Sequence, residues 1–264
     1  MRKIWWSDFS ASEFNNLDAQ ETIAVLPLAA TEQHGPHLPP STDADIMEGM
    51  LNRLFEKLPE TLDIRVYPVI RIGASDEHCR FSGTLSIPSQ EMIDRIIARG
   101  ERASIHGIKK LVLINSHGGN EAAMTIAALE LRNQHDMMVV KTSWERFGAP
   151  EGLFSEEETK LGIHGGDYET SVMLHFAPHL VNMDKAENFA SATAQARKTF
   201  KHLAPQSPHG YAWLAGDLNK AGVVGNASAA TAEKGQQAAE HQIGGFLELL
   251  QDIRTAKLDD WIRA

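Results

Sequence analysis

A single cysteine, Cys79, stands among the 264 residues. One thiol excludes an intrachain disulfide and any zinc site built from cysteines. Hydrophobic runs are short, of the length of AVLPLAA, far below the ~20 apolar residues that span a bilayer. Positive charge is also scarce, with 25 Lys and Arg against 35 Asp and Glu and a net charge of −10. No basic block is dense enough to follow a phosphate backbone, so nucleic-acid binding is disfavoured. The opening MRKIWWSDFSASEF breaks its apolar residues with Asp8 and Glu13 and lacks the pattern of a signal peptide. A soluble, cytoplasmic protein is the expectation.

What the chain does have is a 42% hydrophobic content, enough for a sizeable core, and 12 histidines, several beside Gly, Asp or Glu. Short β-rich runs alternate with helical ones, the pattern of a layered α/β domain. Strands are expected at 22–29 (TIAVLPLA), 64–70 (IRVYPVI, with Pro68 favouring an edge), 110–115 (KLVLIN) and 137–142. Helices are expected from Asp43 or Asp45 to about Leu58, from a Ser89 cap to Gly107, and from an Asn120 cap to about Asn133. The segment 190–222 reads as loop with a helical piece. The segment 227–257 reads as a long helix weakened by Gly235, Gly244 and Gly245. Neither a repeat nor a linker divides the chain, so residues 1–264 are expected to form one domain.

Three constellations could carry chemistry. Glu32, His34 and His37 follow the first strand, and Asp43 opens the next helix. In extended backbone Glu32 and His34 share one side of the chain. Oxygen and nitrogen donors of this kind suit borderline metals. The same residues would equally furnish a polar loop with Asp43 as a helix cap. Asn115-Ser-His117-Gly-Gly-Asn120 lies at another strand-to-helix junction, where ligands gather in α/β sheets. Neither a Walker pattern nor GxGxxG is present, so a phosphate cradle is the weaker reading. In His164-Gly-Gly-Asp167-Tyr-Glu169-Thr-Ser, both carboxylates would sit in a first helical turn, where the macrodipole alone accounts for them. His175 is expected to pack within the helix layer. His106, His135, His202 and His241 are expected at the surface.

Together these segments resemble the creatininase family of metal-dependent amidohydrolases. Further matches are Ser75-Asp-Glu77-His78, Phe81-Ser-Gly83-Thr84, Gly222-Val-Val-Gly225 and ATAEKG, so the likeness runs from about residue 20 to residue 235. It implies a three-layer α/β/α domain with a mostly parallel sheet and two divalent ions (Zn, Mn or Fe) at its carboxyl edge. By that resemblance Glu32 and His117 hold one ion, His34 the other, and Asp43 bridges both. His164 matches the family's proton-handling histidine.

Two departures bear on substrate and metal. Creatininases proper carry His-Tyr-Glu-Asn where this chain has His117-Gly118-Gly119-Asn120. Gly119 thus replaces a ligand of the second ion, and Glu169 is the natural substitute; the alternative is a single-metal enzyme in which Glu169 only caps its helix. Gly118 replaces a pocket tyrosine, and the run Ser155–Lys160 supplies no tryptophan, so creatinine is not the expected substrate. Ser75, Gly118 and Gly119 are expected at the substrate pocket. The implied activity is hydrolysis of a C–N bond in a small amide, lactam or formamide. Ring cleavage of a cyclic ketone and peptide trimming are the alternatives on the same site, and a non-catalytic metal-dependent binding module is the alternative of another class. The resemblance further implies a homo-oligomer, commonly a hexamer. Trp5-Trp6 and Phe246–Leu250 suit either subunit contacts or the core.

Overall fold

The computed structural model describes residues 2–206 and 208–257. The chain runs α1 (Ala11–Asn15), β1 (Ile23–Leu28), α2 (Thr42–Lys57), β2 (Ile64–Val66), α3 (Ser89–Ile105), β3 (Lys110–Asn115), α4 (Glu121–His135) and β4 (Met138–Ser143). It continues through α5 (Glu156–Leu161), α6 (Asp167–Phe176), β5 (Asn188–Phe189), α7 (Ala192–Thr199), α8 (Ala215–Leu218), β6 (Gly225–Asn226) and α9 (Ala232–Thr255).

Four strands form a parallel sheet in the order β2-β1-β3-β4. β1 and β3 are buried at every position, as their near-continuous apolar sequences require of central parallel strands. Alternate residues serve opposite faces. Ile23, Val25, Val112 and Ile114 join Met47, Met50 and Leu54 of α2, Met173 of α6 and Ile243, Phe246 and Leu250 of α9. Ala24, Leu26, Leu28, Leu111 and Leu113 join Met92 and Ile96 of α3 and Met124, Ala127 and Leu131 of α4. The architecture is therefore three-layered, α/β/α. Phe246 and Leu250 are fully buried in this core, so they offer no subunit surface. Trp5 and Trp6 are half-buried against Phe55 and Tyr67.

Several expected boundaries move for identifiable reasons. The second strand ends at Val66 and is an edge strand, with exposed Pro68 interrupting it before Ile70 bridges Leu28. Ser89 is the first residue of α3 rather than its cap, which is Pro88. Asn120 makes no cap bond either. Its amide reaches Asn115 Oδ1 (3.1 Å) and the carbonyl of Ala29 (3.2 Å), and it accepts from the Ala74 amide (3.0 Å). One side chain thus braces the loops that follow β1, β2 and β3. The segment 190–222 holds two short helices, α7 and α8.

The long last helix starts at Ala232, after a 3-10 turn at Ala227–Ala229, and its glycines do not interrupt it. Gly235 instead allows α9 to approach α6, where a Cβ would overlap the Ser171 carbonyl. Alanine there gains helix propensity of up to ~1 kcal/mol but must push two packed helices apart. Gly235→Ala should therefore lower stability by about 1–3 kcal/mol in urea unfolding, whereas Gly244→Ala, which meets open space, should raise it slightly.

Candidate metal centre

Strand order places β1 and β3 side by side while their connections leave in opposite directions. A crevice at the carboxyl ends of such strands is where α/β sheets bind ligands. Past β1 the chain stays extended: Thr31 pairs with Leu85, and the Glu32 amide donates to the Pro40 carbonyl at 2.9 Å. Glu32 and His34 therefore face the crevice, and Gln33 faces away from it. Asp43 enters from the first turn of α2 and Glu169 from the first turn of α6, positions where the helix macrodipole favours a carboxylate. His117 follows β3 by two residues, its main chain held on both sides by the Asn115 amide (3.2 and 2.5 Å).

The donors converge. His117 Nδ1 lies 3.1 Å from Glu32 Oε1 and 3.6 Å from Asp43 Oδ2. His34 Nε2 lies 3.3 Å from Asp43 Oδ1 and 3.8 Å from Glu169 Oε1. His164 Nδ1 is 3.7 Å from Glu32 Oε1, and its ring lies 4.1 Å from that of His34. Among the described residues three groupings could hold an ion: Glu32–Asp43–His117, His34–Asp43–Glu169 and Glu32–His34–His164. Asp43 belongs to the first two.

The far nitrogen of each ring is tied to a backbone carbonyl. His34 Nδ1 donates to Glu32 (3.0 Å), His117 Nε2 to Ala74 (2.9 Å) and His164 Nε2 to Gln33 (2.7 Å). These bonds orient the rings and leave the opposite nitrogens facing the crevice. Within it, Glu32 Oε2, His34 Nε2 and both Asp43 oxygens are buried with no hydrogen-bond partner. Buried carboxylates without donors are costly unless a cation or proton compensates them. The donor set thus fits a divalent cation in charge, ligand type and orientation.

Burial opposes charge on every group here and prevails at Asp43, whose carboxyl is raised to about 7. It is outweighed at His34 by Asp43 and Glu169, which hold the imidazole well above its usual range. At His117, Glu32 and Asp43 overcome burial and raise the ring to about 10. Glu169 falls to about 2 because its interaction with His34 exceeds its burial cost. His164 goes the other way, lowered to about 4 by burial and by the His34 charge. It is therefore a neutral base.

A cavity of about 380 Å³ opens over these donors, walled by Glu121, Glu145, Arg146, Ile163 and Tyr168. Gly118 lines it, and a side chain there would meet open space. Gly119 and Ser75 do not line it. A Cβ on Gly119 would strike the Ala74 carbonyl and the His117 ring, while Ser75 Oγ sits 3.3 Å behind His117 Nε2. Both support His117 from behind.

Apart from His78, the remaining histidines fall outside the cluster. His37 is buried, its Nε2 3.0 Å from both the Gly165 carbonyl and Thr170 Oγ1, so it shapes the loop that carries His164. Asp45 accepts from Ser41 Oγ at 2.6 Å. His175 is half-buried against Phe176, and His106 packs on Phe14. His135 is half-buried, and His202 and His241 are exposed. One buried neighbour of the donors was not singled out as a site residue: His78, 3.4 Å from Glu32 Oε1. Its only sequence signal was membership of the Ser75–His78 motif.

Fold and site together define an α/β protein with a buried Glu, Asp and His cluster at the carboxyl edge of its sheet. The family model described as creatininase, creatinine amidohydrolase, matches residues 7–250, and the chain belongs to the creatininase family of hydrolases. A mycofactocin precursor peptide peptidase from Mycolicibacterium smegmatis is 29% identical over 247 residues, covering 93% of this chain and 91% of that protein. Creatinine amidohydrolase from Pseudomonas putida is 24% identical over 266 residues, covering 95% of each. A mutant creatininase has the same fold, with a TM-score of 0.77 at 22% identity over 97% of this chain and 100% of that one.

The two adjacent glycines should respond differently to the same methyl group. Gly118→Ala should leave the thermal unfolding midpoint near that of the parent, because the added Cβ projects into open space. Gly119→Ala should lower it by several degrees, the cost of displacing packed backbone and a ring.

Proposed function

We propose that this chain is a two-ion amidohydrolase cleaving a C–N bond in a small amide, lactam or formamide. The observation that carries the reading is the set of buried, unpartnered donor atoms on Glu32, His34 and Asp43. In it Glu32 and His117 hold one ion, His34 and Glu169 the other, and Asp43 lies between them. Zn, Mn and Fe all suit such donors, and two solved neighbours are described as manganese and zinc–zinc forms of creatininase. Ions bound there would acidify a water and offset negative charge developing on the substrate carbonyl oxygen.

The protein's own groups handle the proton. His164, neutral and held through Nε2–H, presents Nδ1 to the crevice. It accepts a proton from the attacking water and returns it to the departing nitrogen. Gly118 leaves room beside it for the substrate. Trimming of a short peptide is the second reading, favoured by peptide peptidases among the relatives at 29–31% identity. No helix among the described residues is long and apolar enough to cross a membrane. A cytoplasmic location and a homo-oligomer, hexameric as is common in the family, complete the proposal.

The test is turnover of a panel of lactams, formamides and short peptides, with and without chelator, alongside elemental analysis. Chelator-sensitive hydrolysis of one class is expected, and metal-free protein with undiminished turnover would overturn the reading. Asp43→Ala should lose both ions and activity, whereas His37→Ala and Asp45→Ala should keep their ions. Glu169→Ala should lose one ion. His164→Ala should keep both and lose kcat by roughly 10²–10⁴-fold. Two ions retained by Glu169→Ala, or one lost from His164→Ala, would refute these assignments.

Acid should weaken ion binding. His34 and His117 are raised above their usual range, so both carry protons at neutral pH in the ion-free protein. Each nitrogen facing the crevice must give up its proton before it can ligate. Binding should therefore release protons, seen as buffer-dependent heat in calorimetry, and apparent affinity should rise with pH through the neutral range. Binding heat that is independent of buffer ionisation would contradict this.

A further inference from the structure

Gln33 lies between two site residues but points away from the crevice, into a buried position where every polar atom of its amide is used. Nε2 is 2.7 Å from the Gly222 carbonyl and 2.9 Å from His78 Nδ1, and Oε1 accepts from the Gly35 amide at 2.9 Å. The amide cannot be reversed: its oxygen would then face the Gly222 carbonyl and its nitrogen the Gly35 N–H. Two independent backbone partners thus fix which end donates. Gly222, at φ +74°, is what permits the approach, since a Cβ there would run into the Gln33 amide.

A consequence follows for His78. With one Gln33 proton committed to Gly222, the other has two nitrogens within reach, His78 Nδ1 at 2.9 Å and His164 Nε2 at 3.3 Å; the latter already donates to the Gln33 carbonyl, so His78 Nδ1 accepts it. The ring proton then sits on Nε2, the atom 3.4 Å from Glu32 Oε1. His78 also stacks on His164 at 4.2 Å between centroids, so its ring is held in plane as well as in tautomer. Glu32 Oε2, the other oxygen of that carboxylate, is the one without a partner.

We propose that Gln33 is a positioning residue that locks His78 with its proton on Nε2, facing Glu32 Oε1, and so fixes how that carboxylate is set at the metal centre. The lock is a property of the ion-free chain, and its effect on metal affinity rests on the two-ion reading. Groups that orient a ligand in this way typically contribute 10–100-fold in metal affinity.

Imidazole ¹H–¹⁵N correlation spectra of ion-free protein read the lock directly, with His78→Phe supplying the assignment. In the parent, His78 should carry its proton on Nε2 and none on Nδ1. Gln33→Glu replaces the donor with an acceptor and should move a proton onto Nδ1. Gln33→Met, which neither donates nor accepts, should free the ring, and it serves if the buried glutamate prevents folding. Affinity for Zn²⁺ or Mn²⁺, measured by competition with a chromophoric chelator, should fall 10–100-fold in Gln33→Met and in His78→Phe, which preserves the stack on His164. A proton on Nδ1 in the parent, or a tautomer unmoved by either Gln33 substitution, would overturn the lock. Unchanged affinity in His78→Phe would overturn its role in orienting Glu32. A parent protein with the expected tautomer that binds neither ion would instead refute the metal centre and leave the lock standing.

Discussion

Three carboxylates, Glu32, Asp43 and Glu169, meet in a crevice where the positive charge set against them, among the described residues, comes from the imidazoles of His34 and His117. Like charges at such range in a poorly solvated space cannot all remain ionised without positive charge beside them. In the ion-free chain protons on His34 and His117 meet the demand, which is why those rings are pushed up while His164 and His78 are pushed down. A divalent cation meets it better, because it brings two charges to donor atoms that otherwise have no partner. The rest of the site is arranged around this constraint.

The fold supplies the convergence through its strand ends. β1 and β3 are paired in register from Ile23–Lys110 to Leu28–Asn115, so the residues beyond them emerge level with one another. Asn120 then ties the three following loops together, and the antiparallel bridge between His164 and Val224 brings in the fourth segment. Precision in the donors thus derives from backbone bonds one layer out, while the donors themselves stay free of hydrogen bonds at the atoms that face the crevice. His37 and Lys234 extend the same logic. His37 holds the Gly165 carbonyl, and Lys234 pairs with buried Asp167 at 2.6 Å, fixing the start of the helix that presents Glu169.

Much of this was readable from local pattern. β3 falls on KLVLIN as expected because a run of four apolar residues, Leu111–Ile114, lies between a turn and Asn115. Glu32 and His34 were placed on one side by extended-chain alternation alone. What escaped were contacts between segments far apart in the chain. Asn120 and Ser89 looked like caps because their residue types favour caps, but Asn120 has three side-chain partners, two of them on the loops after β1 and β2, that outcompete the helix end. Gly235 looked like a weak point in a helix and is a point of close approach. Gln33 and His78, 45 residues apart, have no spacing that would join them, and Gln33 reaches Gly222 across 189 residues.

The sequence departure at Gly119 has a counterpart in the geometry. Where creatininases proper carry Glu, this chain has Gly119, and its Cβ direction is closed by the Ala74 carbonyl, the His117 ring and Glu77. Backbone and ring occupy the space that a side chain would need, so no substitution at that position could place a ligand there without displacing His117. Glu169 reaches the same neighbourhood from the opposite wall, its Oε1 3.8 Å from His34 Nε2 and its Oε2 bonded to the Gly165 amide. The exchange also changes the pocket. A residue pair that would project a tyrosine and a glutamate becomes two glycines, and the space beside Gly118 stays open. A carboxylate at the start of α6 is thus compatible with an open floor beside the β3 loop.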